Sequence, residues 1–265
     1  MSRRADSLMR LLWRSPDDRD RRRPGPKRRL TVDQIVTASI SVADENGDVS
    51  MRAVAERLGV TPMALYSYVP DKETLLALMY DSIHADVSDP QRVGADWRRA
   101  VVTWAEELVD LYVSHPWALQ VSYARPVLGP HEQVMLERLV AHLRSEAIPP
   151  GLLRRAVGML LHAVRGTART IAEARESART SGVSEEEWWE EVAGALAAAV
   201  PDFADRFPHT VWLLTDDEAA GGDEAGDGYV DRQARASLRV GLELLLDGLV
   251  AAAGLTESDH GDSAP

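Results

Sequence analysis

Apolar residues recur at helical spacing along nearly the whole chain, and no run of alternating apolar and polar positions bounded by turn residues suggests a strand. Thr31 and Gln34 stand at capping-box spacing ahead of Ile35, Ala38 and Val42, which predicts an amphipathic helix ending near Asn46-Gly47. Ser50 caps a short second helix with Val54 and Leu58 facing inward, and Gly59 supplies the left-handed residue that stops it. Thr61-Pro62 is an N-cap followed by proline at the first helical position. The helix it opens carries Leu65 and Val69 and stops before Pro70. Asp71 caps a fourth helix running toward His84.

Beyond Asp89-Pro90 the pattern stays helical. It predicts Trp97 to Ser114, stopped by Pro116; Glu132 to Ala147, stopped by Pro149-Pro150; and Leu152 to about Thr180, stopped by Gly182. A second capping box, Ser184 and Glu187, leads into Trp188 to Val200. Asp231 to Ala253 carries Leu238, Leu242, Leu245 and Leu249 at heptad-like spacing, an apolar ridge expected to lie at a two-fold interface. Thr215 to Gly228 is acidic and Gly-rich and reads as a solvated loop. The expected fold class is all-α: a three-helix helix-turn-helix domain followed by an all-helical domain. Four regions follow: a flexible basic arm (1–29), the helix-turn-helix domain (30–86), a second, all-helical domain (90–254), and a disordered tail (255–265).

Composition narrows the chemistry. The 265 residues include no cysteine, which excludes a disulfide framework, Cys-ligated zinc and a thiol nucleophile. The net charge of -12 is unevenly spread. Residues 1–30 hold eleven Lys/Arg against four Asp/Glu, whereas residues 86–265 hold sixteen against thirty, so one end suits an anionic partner and the rest repels it. The apolar stretch Val240 to Leu255 is broken by Glu243 and Asp247, and Arg10 splits the N-terminal Leu8, Met9, Leu11, Leu12 and Trp13. Neither a spanning helix nor a signal peptide is expected, which makes the cytoplasm the default location and leaves no membrane partner.

The helix, Gly-turn, helix unit from Ser50 to Val69 has the form of a DNA-reading element, in which the first helix braces and the second enters the major groove. With Leu65 facing the core, Met63, Ala64, Tyr66 and Ser67 point outward, an apolar-aromatic face that calls for a partner. Arg52 suits a guanine edge and Lys72, at a helix start, suits a phosphate. Ala53-Val54-Ala55-Glu56-Arg57-Leu58-Gly59-Val60-Thr61-Pro62-Met63-Ala64-Leu65-Tyr66-Ser67-Tyr68-Val69-Pro70-Asp71-Lys72-Glu73-Thr74-Leu75-Leu76 closely resembles the operator-binding domain of the TetR family of repressors. The resemblance implies that Arg52 contacts bases, that Thr61, Pro62 and Met63 open the recognition helix, and that Tyr66, Tyr68 and Lys72 contact the DNA backbone. Pro62-Met63-Ala64 departs from the tetracycline repressor, so the operator sequence is not transferable. The cluster Arg21, Arg22, Arg23, Lys27, Arg28 and Arg29 suits a minor groove or phosphates. It also resembles the long N-terminal arms of some antibiotic-export repressors of this family.

His115-Pro116-Trp117 and Leu161-His162-Ala163-Val164-Arg165-Gly166 resemble the family's C-terminal domain. That implies a homodimer joined by a four-helix bundle and a small-molecule pocket. Pocket candidates are Trp104, Leu108, Trp117, Tyr123, Met135, His162 and Arg165; ordinary core packing is the other reading of most of them. No metal or cofactor is expected: His131-Glu132 begins like a zinc-protease motif but Met135 stands where the second histidine belongs, and the Asp216 to Asp227 loop lacks the closing bidentate Glu of a calcium loop. The expected function is a homodimeric repressor on a pseudo-palindromic operator, released by a bulky, partly aromatic small molecule, controlling an efflux, resistance or biosynthetic gene. Two alternatives stand beside it: an effector-independent DNA binder or activator, and an enzyme with an accessory DNA-binding domain.

Overall fold

The computed structural model describes residues 3–14, 30–87, 96–144, 148–215 and 228–254, and among them there is no strand. The chain divides into two compact units, residues 1–157 and 158–265. In the first, α1 (Arg3–Leu12), α2 (Val32–Asn46), α3 (Met51–Leu58), α4 (Pro62–Tyr66) and α5 (Lys72–Ile83) are followed by α6 (Trp97–Ser114), α7 (Pro130–Arg144) and the beginning of α8 (Pro150–Ser181). The second unit holds the rest of α8 and α9 (Glu185–Ala199), α10 (Phe203–Arg206), α11 (Pro208–Thr215) and α12 (Tyr229–Ala253). Short 3-10 turns, His84–Asp86 and Pro116–Gln120, follow α5 and α6.

The local stop and start signals act as their chemistry dictates. Thr31 and Gln34 form a complete capping box on α2, and the Ser50, Thr61 and Asp71 side chains accept from Ala53, Ala64 and Thr74 N–H. Gly47 and Gly59 close α2 and α3 in the left-handed region at φ 76° and 66°, where a side chain would be strained. In the second unit, Ser184 and Glu187 cap α9 in the same way as the box on α2.

The first 29 residues are not all the flexible arm expected from their charge. Residues 3–12 form α1, which packs on α5, with Leu12 4% exposed and Leu8, Met9 and Leu11 half-buried. The Trp13 indole N–H donates to the Leu128 carbonyl at 3.0 Å, and Arg14 pairs with Asp33 in the first turn of α2. An apolar stripe of this kind is stabilised by tertiary packing, which charge counting overlooks. The recognition helix is also shorter than its apolar pattern suggests. It ends at Tyr66, because the Ser67 hydroxyl donates to the Ala64 carbonyl (2.7 Å) and a last turn bonds Val69 N–H to Leu65 O ahead of Pro70.

The leucine ridge of α12 is the second correction. Leu238, Leu242 and Leu249 are at most 4% exposed within a single chain and Leu245 is half-buried, so the ridge packs on its own protomer. Asp231 takes Arg175 of α8 and Arg235 of α12 in one buried carboxylate. The outward apolar positions of α12 are Val240 and Leu244, 57% and 69% exposed.

Candidate nucleic-acid interface

α2, α3 and α5 pack around Ile35, Val54, Leu65, Leu75 and Met79, each fully buried, and hold α4 on the surface by one inward side chain. Leu65 is the anchor; on the other side Met63 is 77% and Tyr66 46% exposed, with Thr61, Pro62 and Ser67 also exposed and Tyr68 half-buried. Arg52, in the first turn of α3, and Lys72, at the first position of α5, are exposed. The residues read from sequence as the DNA-contacting set are therefore presented by the helix-turn-helix and its flanks. Arg21, Arg22, Arg23, Lys27, Arg28 and Arg29 lie outside the described residues, as do most of the acidic loop and the tail.

Two ion pairs brace this unit. Arg57 of α3 grips Glu45 of α2 through both guanidinium nitrogens, and Lys72 Nζ sits 2.8 Å from each Asp48 oxygen. The Lys72 hydrogen bond holds the Asp48 carboxyl below its ordinary range. Lys72 thus ties the turn after α2 to the start of α5, and a phosphate would have to compete with Asp48 for it. Residues 31–85 contain only three basic side chains, Arg52, Arg57 and Lys72, against eight acidic ones. Three cations against eight carboxylates leave this module little capacity for broad phosphate neutralisation by itself.

Two carboxylates connect the DNA-reading helices to the helices that follow. Asp44, near the end of α2, accepts from the His115 ring and the Trp117 indole, each at 2.8 Å. Asp81 of α5, 4% exposed, accepts from His131 N–H (2.9 Å) and Glu132 N–H (3.0 Å) at the start of α7. Burial pushes the Asp81 carboxyl upward, against the lowering effect of those two N–H donors. Beside them, His84 donates Nδ1–H to the Tyr80 carbonyl (2.6 Å), and in the neutral ring Nε2 accepts from the Tyr112 hydroxyl (3.1 Å). Sequence reading missed Asp44 and Asp81, whose partners lie some 50 to 70 residues away, beyond the reach of any local spacing rule.

The candidate effector residues fall in both units: Trp104, Leu108, Trp117, Tyr123 and Met135 in residues 1–157, His162 and Arg165 in residues 158–265. Trp104, Leu108, Trp117 and Met135 are buried in the first unit, Tyr123 is 39% exposed, and the Trp117 indole is spent on Asp44. His162 is exposed, with Nδ1 bonded to the Gly158 carbonyl, and Arg165 is half-buried. The Trp104 indole nitrogen is buried and makes no hydrogen bond. Among the described residues no group of three or more His, Cys, Asp or Glu could hold a metal ion, and no helix is long and apolar enough to cross a membrane.

Residues 89–253 match the family described as tetracyclin repressor-like, C-terminal domain. An HTH-type transcriptional repressor, DrrR1 of Streptomyces coeruleorubidus, is 34% identical over 96% of this chain and 88% of its own length. An HTH-type transcriptional regulator of Saccharopolyspora erythraea is 28% identical over 92% of this chain and 93% of its own. Among solved structures, ActR of Streptomyces coelicolor in complex with actinorhodin superposes with a TM-score of 0.65 at 24% identity, over 86% of this chain and 99% of that one. Its complex with (S)-DNPA gives 0.66 at 25%, over 86% and 100%. Likeness running through both the DNA-reading helices and the helical remainder is more than a shared preference for helix, and the chain belongs to the TetR family of helix-turn-helix transcriptional regulators.

Proposed function

We propose that the protein is a homodimeric repressor that binds a two-fold related operator and leaves it when a bulky, partly aromatic molecule binds. The observation that carries the DNA-binding half is the split of α4, with Leu65 fully buried and Met63 and Tyr66 exposed beside it: the helix spends its one inward residue on the core and offers the rest to a groove. Arg52, Thr61, Pro62, Met63, Tyr66, Ser67, Tyr68 and Lys72 are the proposed contacts, joined by the basic cluster of residues 21–29.

Dimerisation is supported by apolar surface that one chain leaves uncovered. No residue of α9 or α10 is buried, and Trp188, Trp189, Trp212, Leu213 and Leu214 are exposed, as are Val240 and Leu244 on α12. A second copy covering these faces replaces the buried leucine ridge as the interface, and dimers of this kind set recognition helices about 34–36 Å apart, one DNA turn. For the effector, the relevant group is Trp104. A buried indole N–H lacking an acceptor favours a ligand that brings a carbonyl or quinone oxygen, and actinorhodin, bound in the similar ActR structure, is the first probe to use. The regulated gene is proposed to serve efflux, resistance or biosynthesis of such a compound.

The decisive experiment selects duplexes from a random-sequence library with purified protein and titrates the winner at several salt concentrations, with and without actinorhodin. A two-fold related site, bound by a dimer and released by the compound, is the expected result. Replacing Arg21, Arg22, Arg23, Lys27, Arg28 and Arg29 with Gln should flatten the salt dependence by about 0.9 in log–log slope for each phosphate no longer neutralised. Tyr66→Ala should lower affinity with little change of slope. Failure to enrich any duplex would refute the reading.

A further inference from the structure

The start of α7 is an unusual turn held from three directions. Leu128 adopts φ 59°, a left-handed conformation in a residue with a branched side chain, and such a backbone persists only where its surroundings impose it. Its N–H donates to Glu132 Oε2 at 2.8 Å and its carbonyl accepts from the Trp13 indole at 3.0 Å. Gly129 follows, so close to α5 that a Cβ there would collide with the Asp81 carboxylate. Asp81 itself takes the His131 and Glu132 N–H groups. The Leu128–Glu132 turn is therefore gripped by α5, by α1 and by its own glutamate.

α1 reaches the DNA-reading helices as well. Leu12 is buried, α1 packs along α5, and Arg14 pairs with Asp33 on α2 while its Nη1 donates to the Leu11 carbonyl at 2.5 Å. The helix and the two residues after it therefore touch α2, α5 and the Leu128–Glu132 turn at once. Trp13 is 56% exposed, so its bond to Leu128 can break without opening the core. Nothing about operator contact requires these interactions.

We propose that α1 is a strap that positions the recognition helix, with Trp13 locking the Leu128–Glu132 turn and, through Asp81, fixing the setting of α5. α5 follows α4 after a short turn, so a shift of α5 carries the reading helix with it. A DNA-binding domain that samples several settings of α5 binds with an affinity reduced by the fraction of time spent in the competent one, so loosening the strap weakens binding even though no DNA contact is removed. This rests on the reading of the chain as an operator-binding repressor.

The test uses the full chain and the duplex selected above. Trp13→Phe removes the indole N–H while keeping an aromatic ring, Leu12→Asp undocks α1 as a whole, and Ser7→Ala on its exposed side is the control. Two readouts are taken: hydrogen exchange across residues 128–132, and affinity for the duplex. The expected result is faster exchange in both strap variants and affinity weakened about three- to tenfold, with the melting temperature of Trp13→Phe unchanged and Ser7→Ala like the parent in every measurement. Unchanged exchange overturns the strap. Faster exchange with unchanged affinity also overturns it, leaving α1 as a brace that stabilises the fold only. If no duplex can be selected from the library, the operator-binding reading fails, and this proposal fails with it.

Discussion

α5 and α9 have similar lengths and opposite situations. Eight of the twelve residues of α5 are buried, whereas none of the fifteen in α9 is. The first unit encloses its own core, so that a single residue, Leu65, suffices to hang a short recognition helix on it. The α9–α11 stretch keeps tryptophans and leucines on the outside, with Trp212 at 68% and Leu213 at 70% exposure. Among the described residues, one region is finished by its own chain and the other displays an apolar surface of the kind that marks interaction sites.

The sharpest way to break this contrast is to attack the two regions with equal force. Leu65→Ala should cost about 3–5 kcal/mol and abolish operator binding, because a fully buried leucine is removed from a small core; circular dichroism melts and DNA titration check it. Trp212→Ala should leave the protomer's stability within about 0.5 kcal/mol, and a larger loss in a monomeric sample would show that α11 is core after all. Next in size is the assembly. Val240→Glu with Leu244→Glu should yield folded monomers in sedimentation, whereas Leu242→Ala should destabilise the second unit by about 2–5 kcal/mol. Equal behaviour of the two variants would erase the distinction between the inner and outer faces of α12.

A smaller effect concerns pH. Burial holds the Asp81 carboxyl above its ordinary 3.8, so the folded chain keeps a proton there that the unfolded chain has already released. Its contribution to stability therefore declines as pH rises from 3.8 through the raised value. Asp81→Asn removes that titration, and melting curves between mildly acidic and neutral pH should show a shallower decline in the variant than in the parent. Smallest of all is Glu45→Gln, which breaks an exposed pair with Arg57 and should leave the melting temperature unaltered.

What was legible from sequence follows from the range of each interaction. Thr31, Ser50, Thr61, Asp71 and Ser184 bond to N–H groups three positions on, so their side chains announce helix starts directly. The exposed side of α4 follows from knowing that Leu65 points inward. α1 was hidden because Arg10 interrupts its apolar residues and its stability comes from α5, far along the chain. The α12 ridge shows the complementary limit: periodicity reveals that Leu238 and Leu242 need burial, yet it does not say whether their own chain or a second copy buries them. Trp104, Leu108 and Trp117 carry the same ambiguity, since an aromatic inside a helical bundle looks alike in sequence whether it lines a pocket or fills a core.

The approach of Gly129 to Asp81 constrains how this protein can diverge. Any side chain at position 129 collides with the carboxylate, and a shorter residue at 81 strands two N–H groups at the head of α7. Shortening residue 81 does not open room either, since the Asp81 Cβ itself would lie 2.7 Å from a Cβ added at 129, so each replacement is harmful and neither compensates the other. Aspartate at 81 and glycine at 129 should consequently be retained together among descendants of this chain.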